Sequence, residues 1–91
     1  MIAKVVYKLK LDDKTEQMVA LPTGSKVLSV HEQLGITCIW YLCDPSNKLQ
    51  MRWIYIFMTG QDLPKNIDEL NFIGTIITAD NFVLHIFEKL P

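Results

Sequence analysis

The run Gln50-Met51-Arg52-Trp53-Ile54-Tyr55-Ile56-Phe57-Met58-Thr59-Gly60 constrains the fold of this chain more than any other segment. A half-buried strand alternates apolar and polar residues, because successive side chains point to opposite faces of a sheet. Here Trp53, Tyr55 and Phe57 share one face and Ile54, Ile56 and Met58 the other, so both faces need cover. Ile36 to Cys43 and Phe82 to Phe87 are two-sided in the same way. With only 91 residues to supply that cover, a monomer is expected to keep contiguous apolar surface of the kind that marks interaction sites. A homo-oligomer is the expectation.

The remaining segments read as short strands and turns. Ile2 to Leu11 sets Lys4, Val6, Lys8 and Lys10 against Val5, Tyr7, Leu9 and Leu11, as an edge strand does. Asp12-Asp13-Lys14 supplies a polar turn before a second strand, Glu16 to Leu21, and the two are expected to form a hairpin. Pro22-Thr23-Gly24-Ser25 breaks the chain. Lys26 to Gln33 and Ile36 to Cys43 flank Leu34-Gly35, a tight turn for an antiparallel pair. Asp44 to Lys48 is turn-forming, and Thr59 to Leu70 holds the one helical candidate, with Leu63, Ile67 and Leu70 at i, i+4, i+7. Phe72 to Thr78 and Asn81 to Glu88 form a final hairpin about Ala79-Asp80. The sum is one mainly β domain over residues 1–91, a small antiparallel β-sandwich or open barrel of about seven strands with one short helix.

Charge and cysteine usage narrow the function classes. A net charge of −1 and a pI near 6.0 argue against a DNA- or RNA-binding protein, which carries a basic surplus matched to phosphate. Lys4, Lys8, Lys10, Lys14 and Lys26 crowd the first 26 positions, which reads first as lysine protection of an edge strand and second as a local positive patch. Cys38 and Cys43 sit at an odd offset within one strand, so they face opposite ways and do not bridge. No His or Cys spacing suggests a metal, no cofactor motif is present, and free thiols fit a reducing cytoplasm. The N-terminal residues lack a signal-peptide core and no long apolar run is present, so a soluble cytoplasmic protein without membrane attachment is expected.

The candidate ligand-binding residues are Arg52, Trp40, Trp53, Tyr41, His31, Thr59 and Gly60. Trp40, Tyr41, Trp53, Tyr55 and Phe57 concentrate aromatic surface on which bases stack. Arg52, the sole arginine, suits bidentate contact with phosphate; its structural alternative is an ion pair with Asp44 or Glu32. His31 keeps more polar company than His85, the other histidine. Thr59-Gly60-Gln61-Asp62 precedes the helical candidate and offers backbone N–H groups for a phosphate; the alternative is an ordinary strand-to-helix turn. Ser25, Ser29, Ser46, Cys38 and Cys43 lack any nucleophile elbow, and Asp12-Asp13 and Asp68-Glu69 read as solvated carboxylates, so no enzyme is expected.

The order of segments resembles a widespread set of small proteins of similar length encoded by bacteriophages and prophages. The resemblance is carried by Val6-Tyr7-Lys8, Leu21 to Val30, Cys38-Ile39-Trp40, Asp44-Pro45, Thr59 to Pro64, Phe72 to Thr75 and Val83 to Glu88. Where such sequences commonly have a Thr-Gly-His-Pro-like loop, this chain has Gln61-Asp62 in place of the His-Pro part. A phage origin implies action in a bacterial host cell. Small oligomeric β-rich phage proteins without catalytic motifs include counter-defence proteins that sequester the nucleotide messengers of immune systems such as Thoeris and CBASS. The expectation is therefore a homo-oligomer that binds an ADP-ribose derivative or a cyclic dinucleotide without cleaving it. The alternatives are a module that binds a host protein and a small phage structural component.

Overall fold

The computed structural model of the chain describes residues 3–90. Its strands are β1 (Val5–Lys10), β2 (Glu16–Pro22), β3 (Lys26–Gln33), β4 (Ile36–Cys43), β5 (Leu49–Met58), β6 (Asn71–Ile77) and β7 (Val83–Lys89). They form two antiparallel sheets, β1-β4-β3 and β2-β5-β7-β6, which make a small sandwich rather than a closed barrel. The helical candidate shrinks to a 3-10 turn, Ile67–Glu69.

The hairpin expected of the first two strands does not form. β1 pairs with β4, Val5 opposite Cys43 and Lys10 opposite Cys38, whereas β2 pairs with β5, Glu16 opposite Tyr55. The crossing connection is braced by Gln17, whose buried amide turns back on it. Its Oε1 accepts from Asp12 N–H at 2.9 Å, and its Nε2 donates to the carbonyls of Asp12 at 2.9 Å and Lys14 at 3.1 Å. Those backbone groups are thereby satisfied without a hairpin ladder, and the chain crosses to the other sheet. Asp44 to Lys48 is likewise a crossover, from β4 to β5, with the Asp44 carboxylate accepting from Ser46 N–H and Oγ–H.

The hairpins at Leu34-Gly35 and Ala79-Asp80 do form. Both Leu34 (φ 53°) and Gly35 (φ 81°) are left-handed, as the two-residue turn matching strand twist requires. Glycine meets that demand freely. Leucine does not, and Leu34 is 97% exposed, so no packing offsets its strain.

Between the sheets, Leu21, Ile39, Ile54 and Ile86 are wholly buried, each stabilising by about 1.5–3 kcal/mol. At Gly74, on the bulged part of β6, a Cβ would lie 3.0 Å from Val30 Cγ1 of the opposite sheet, so the missing side chain lets the sheets close. One charged pair enters this interior. Arg52 Nη1 donates to Glu88 Oε2 at 3.1 Å with both side chains 4% exposed, and Arg52 Nη2 donates to the Ser25 carbonyl just before β3. Glu88 also accepts from Asn71 Nδ2 at 3.4 Å. The arginine's partner is thus Glu88, not Asp44 or Glu32.

Two stability outcomes are expected in denaturant unfolding. Glu88→Gln or Arg52→Met alone leaves one charge or one set of donors buried without its partner and costs about 3–5 kcal/mol, whereas Arg52→Met combined with Glu88→Leu recovers most of that loss. Leu34→Asn, which tolerates the left-handed region, gains up to about 1 kcal/mol.

Candidate functional site

Each sheet has an outer face, and the two differ in chemistry. On the three-stranded sheet, the register aligns Val6, Leu42 and Lys26; then Lys8, Trp40 and Ser29; then Lys10, Cys38 and His31. A bulge at Leu28 keeps both Lys26 and Ser29 on this outer face. His31 and Trp40 meet edge to face, with ring centroids 5.8 Å apart. Lys8 Nζ donates to Gln33 Oε1 at 2.7 Å, crossing β4 near Cys38, which is buried although it points outward. No Asp or Glu lies among these strand residues. The result is a basic face with an indole at its centre.

The outer face of the four-stranded sheet is aromatic. Rings run in contact from Trp53 to Tyr55 (6.4 Å), Tyr55 to Phe57 (6.1 Å), Phe57 to Phe87 (5.8 Å) and Phe87 to Phe72 (5.3 Å). Such pairs contribute about 0.5–1.5 kcal/mol each beyond area burial. Phe57 is buried, but Met18, Met51 and Phe72 on this side remain about half exposed. His85 also lies here, with Nε2 2.7 Å from Thr59 Oγ1 and Nδ1 2.9 Å from Thr75 Oγ1. Both ring nitrogens are therefore occupied in a structural role.

The seven residues singled out from the sequence do not converge. Trp40 and His31 come together on the basic face, Trp53 lies on the aromatic face, and Tyr41 is buried in the core against Tyr7. Arg52 is enclosed between the sheets. Thr59 and Gly60 sit at a turn whose N–H groups are partly used: Thr59 donates to the Val83 carbonyl at 3.3 Å and Gln61 to that of Met58 at 3.1 Å. A cavity of about 450 Å³ opens at one end of the sandwich, but Asp13, Glu32 and Asp80 line it and no basic residue does, so it repels phosphate. Among the described residues, no three His, Cys, Asp or Glu side chains are placed to hold a metal, and no helix is long and apolar enough to cross a membrane.

A family model for a domain of unknown function, DUF7352, matches residues 2–91. The chain belongs to this family. No curated protein and no solved structure matches it. For this DUF7352 domain, sequence reasoning missed one part of the candidate site. Lys8, Lys10 and Lys26 were legible as strand lysines, yet only the pairing of β1 and β3 to opposite sides of β4 sets them around Trp40.

Burial is the main cause that pushes two phenol pKa values up, at Tyr41 with added repulsion from Cys43 and Tyr7, and at Tyr55 with added repulsion from Glu16. The folded state thus holds these protons more tightly than the unfolded chain. Their contribution to stability is complete below a pH of about 10 and is lost as the pH rises through the raised values. In an ultraviolet titration, two of the three tyrosines are expected to ionise above the ordinary range, with stability falling over that same window.

Proposed function

We propose that this protein is a non-catalytic binder that captures a small nucleotide, an ADP-ribose derivative or a cyclic dinucleotide, on the outer face of its three-stranded sheet. The observation that carries this reading is the Trp40–His31 pair set among Lys8, Lys10 and Lys26 on a face without strand carboxylates. An indole accepts a base by stacking, worth about 1–3 kcal/mol per base, and lysines meet phosphates as point charges. Arg52 and Tyr41 have no part in it, because both are buried.

Self-association belongs to the other face. The accessible surface is 6122 Å², against about 5,400 Å² for a compact monomer of this mass. Pairing through Trp53, Phe72, Met18 and Met51 would bury part of that excess and leave the basic face open. In the phage setting that the sequence resemblance implies, such a protein lowers the free concentration of an immune signal by mass action and leaves it chemically intact. The same exposed aromatic face supports a second reading, in which a host protein docks there instead.

Thermal unfolding with ADP-ribose and cyclic dinucleotides, together with solution mass and tryptophan fluorescence, tests the proposal. At 100 times Kd a ligand stabilises the fold by about 2.7 kcal/mol, a shift of several degrees in a domain of this size. Trp40→Ala and Lys10→Glu are each expected to weaken binding about tenfold or more, Trp53→Phe to leave it unchanged, and the ligand to be recovered intact after denaturation. Absence of a shift, or equal affinity in the Trp40 and Lys10 variants, overturns the reading and moves attention to capture of a host protein on the aromatic face.

A further inference from the structure

The cavity that repels phosphate has a chemistry of its own. It enters between the sheets at the end that carries the β3–β4 and β6–β7 hairpins and has a volume of about 450 Å³, within the range of roughly 300–1,000 Å³ typical of ligand pockets. Ile56 and Leu84 give it apolar walls, and the ring of Phe82, 52% exposed, stands on its lining. Three carboxylates, Asp13, Glu32 and Asp80, share this lining with no lysine, arginine or histidine. Among the described residues the one ion pair is Arg52–Glu88, so none of the three is ion-paired. Glu32 is nevertheless held in position, because its two carboxylate oxygens accept from Ala79 N–H at 3.0 and 3.3 Å.

A second, independent feature points to an occupant. Thr37 is 93% buried on the inner face of β4 and lines the cavity, yet its hydroxyl has no hydrogen-bond partner among the described residues and is not sealed away with the interior atoms. A hydroxyl that the cavity reaches and no protein group engages is free to accept from an occupant. The carboxylates do not cluster tightly enough for a metal ion, and their charge excludes anions. Apolar walls with an aromatic ring favour a cation that carries a hydrophobic body.

We infer that this end cavity binds a small organic cation, a primary ammonium group on an apolar or aromatic body. The ammonium donates to the carboxylates of Glu32 and Asp80 and to the Thr37 hydroxyl, while its body lies against Ile56, Leu84 and the Phe82 ring. This site is separate from the basic face and opposite to it in charge selectivity, so it stands or falls independently of nucleotide binding.

The experiment is an amide-resolved NMR titration of the whole chain with phenethylamine and tryptamine, set beside their carboxylate counterparts 3-phenylpropionate and indole-3-propionate. Saturable shifts are expected at Thr37, Ala79 and Phe82 with the amines and not with the acids. Asp80→Asn combined with Glu32→Gln is expected to weaken amine binding at least tenfold with the unfolding midpoint retained, since glutamine Oε1 still accepts from Ala79 N–H. Asp80→Asn alone, at an exposed turn, provides the same reading with a smaller loss should the double variant fold poorly. Shifts of equal strength with amine and acid would show apolar partitioning only. That result, the absence of saturable amine shifts, or full affinity in the neutralised variants would overturn the inference.

Discussion

The Arg52–Glu88 ion pair is the directional contact inside this sandwich. The surrounding core of Ile39, Ile54, Ile86 and Leu21 supplies most of the burial, but apolar contact is indifferent to small slides of one sheet over the other. A guanidinium that holds Glu88 of its own sheet and the Ser25 carbonyl, in the turn that leads into β3 of the other, is not indifferent. Removing two charges from water is costly, and the pair persists because Ser25 and Asn71 satisfy much of the remaining hydrogen-bonding capacity. Arg52 Nε has no partner, which marks the part of that desolvation left without compensation.

Once the sheets are clamped, the chemistry of the surface is sorted by strand parity. The even positions of β1 and β4, with Lys26, Ser29 and His31 of β3, become a basic face around Trp40. The odd positions of β5 and β7 become an aromatic face. The open end, where hairpins from both sheets meet, collects carboxylates. A chain whose net charge is only −1 thus carries a positive face and a negative end, and the net value conceals both.

The aromatic face also explains how a two-sided strand survives in so small a protein. The outward rings of β5 pack along the strand and onto Phe87 and Phe72, and Phe57 is buried on the outside of a sheet. Cross-strand contacts of this kind are a principal source of sheet stability.

Local pattern in the sequence determined a great deal. The seven strands, the turn at Leu34-Gly35, the final hairpin, the edge position of β1 and the opposite facing of Cys38 and Cys43 all follow from period-two alternation and turn chemistry. Pairing was decided elsewhere. β1 crosses to β4 rather than turning back on β2, over a connection braced by the Gln17 amide, and such contacts lie beyond any hydrophobic pattern. The same holds for the candidate site. Arg52 and Trp40 have equally inviting side chains in one dimension, yet Arg52 faces inward beside Glu88, 36 residues away, while Trp40 faces outward among lysines from two other strands. Alternation specifies which residues share a face of one strand; only the assembled sheets decide which face meets water, because burial depends on what packs opposite.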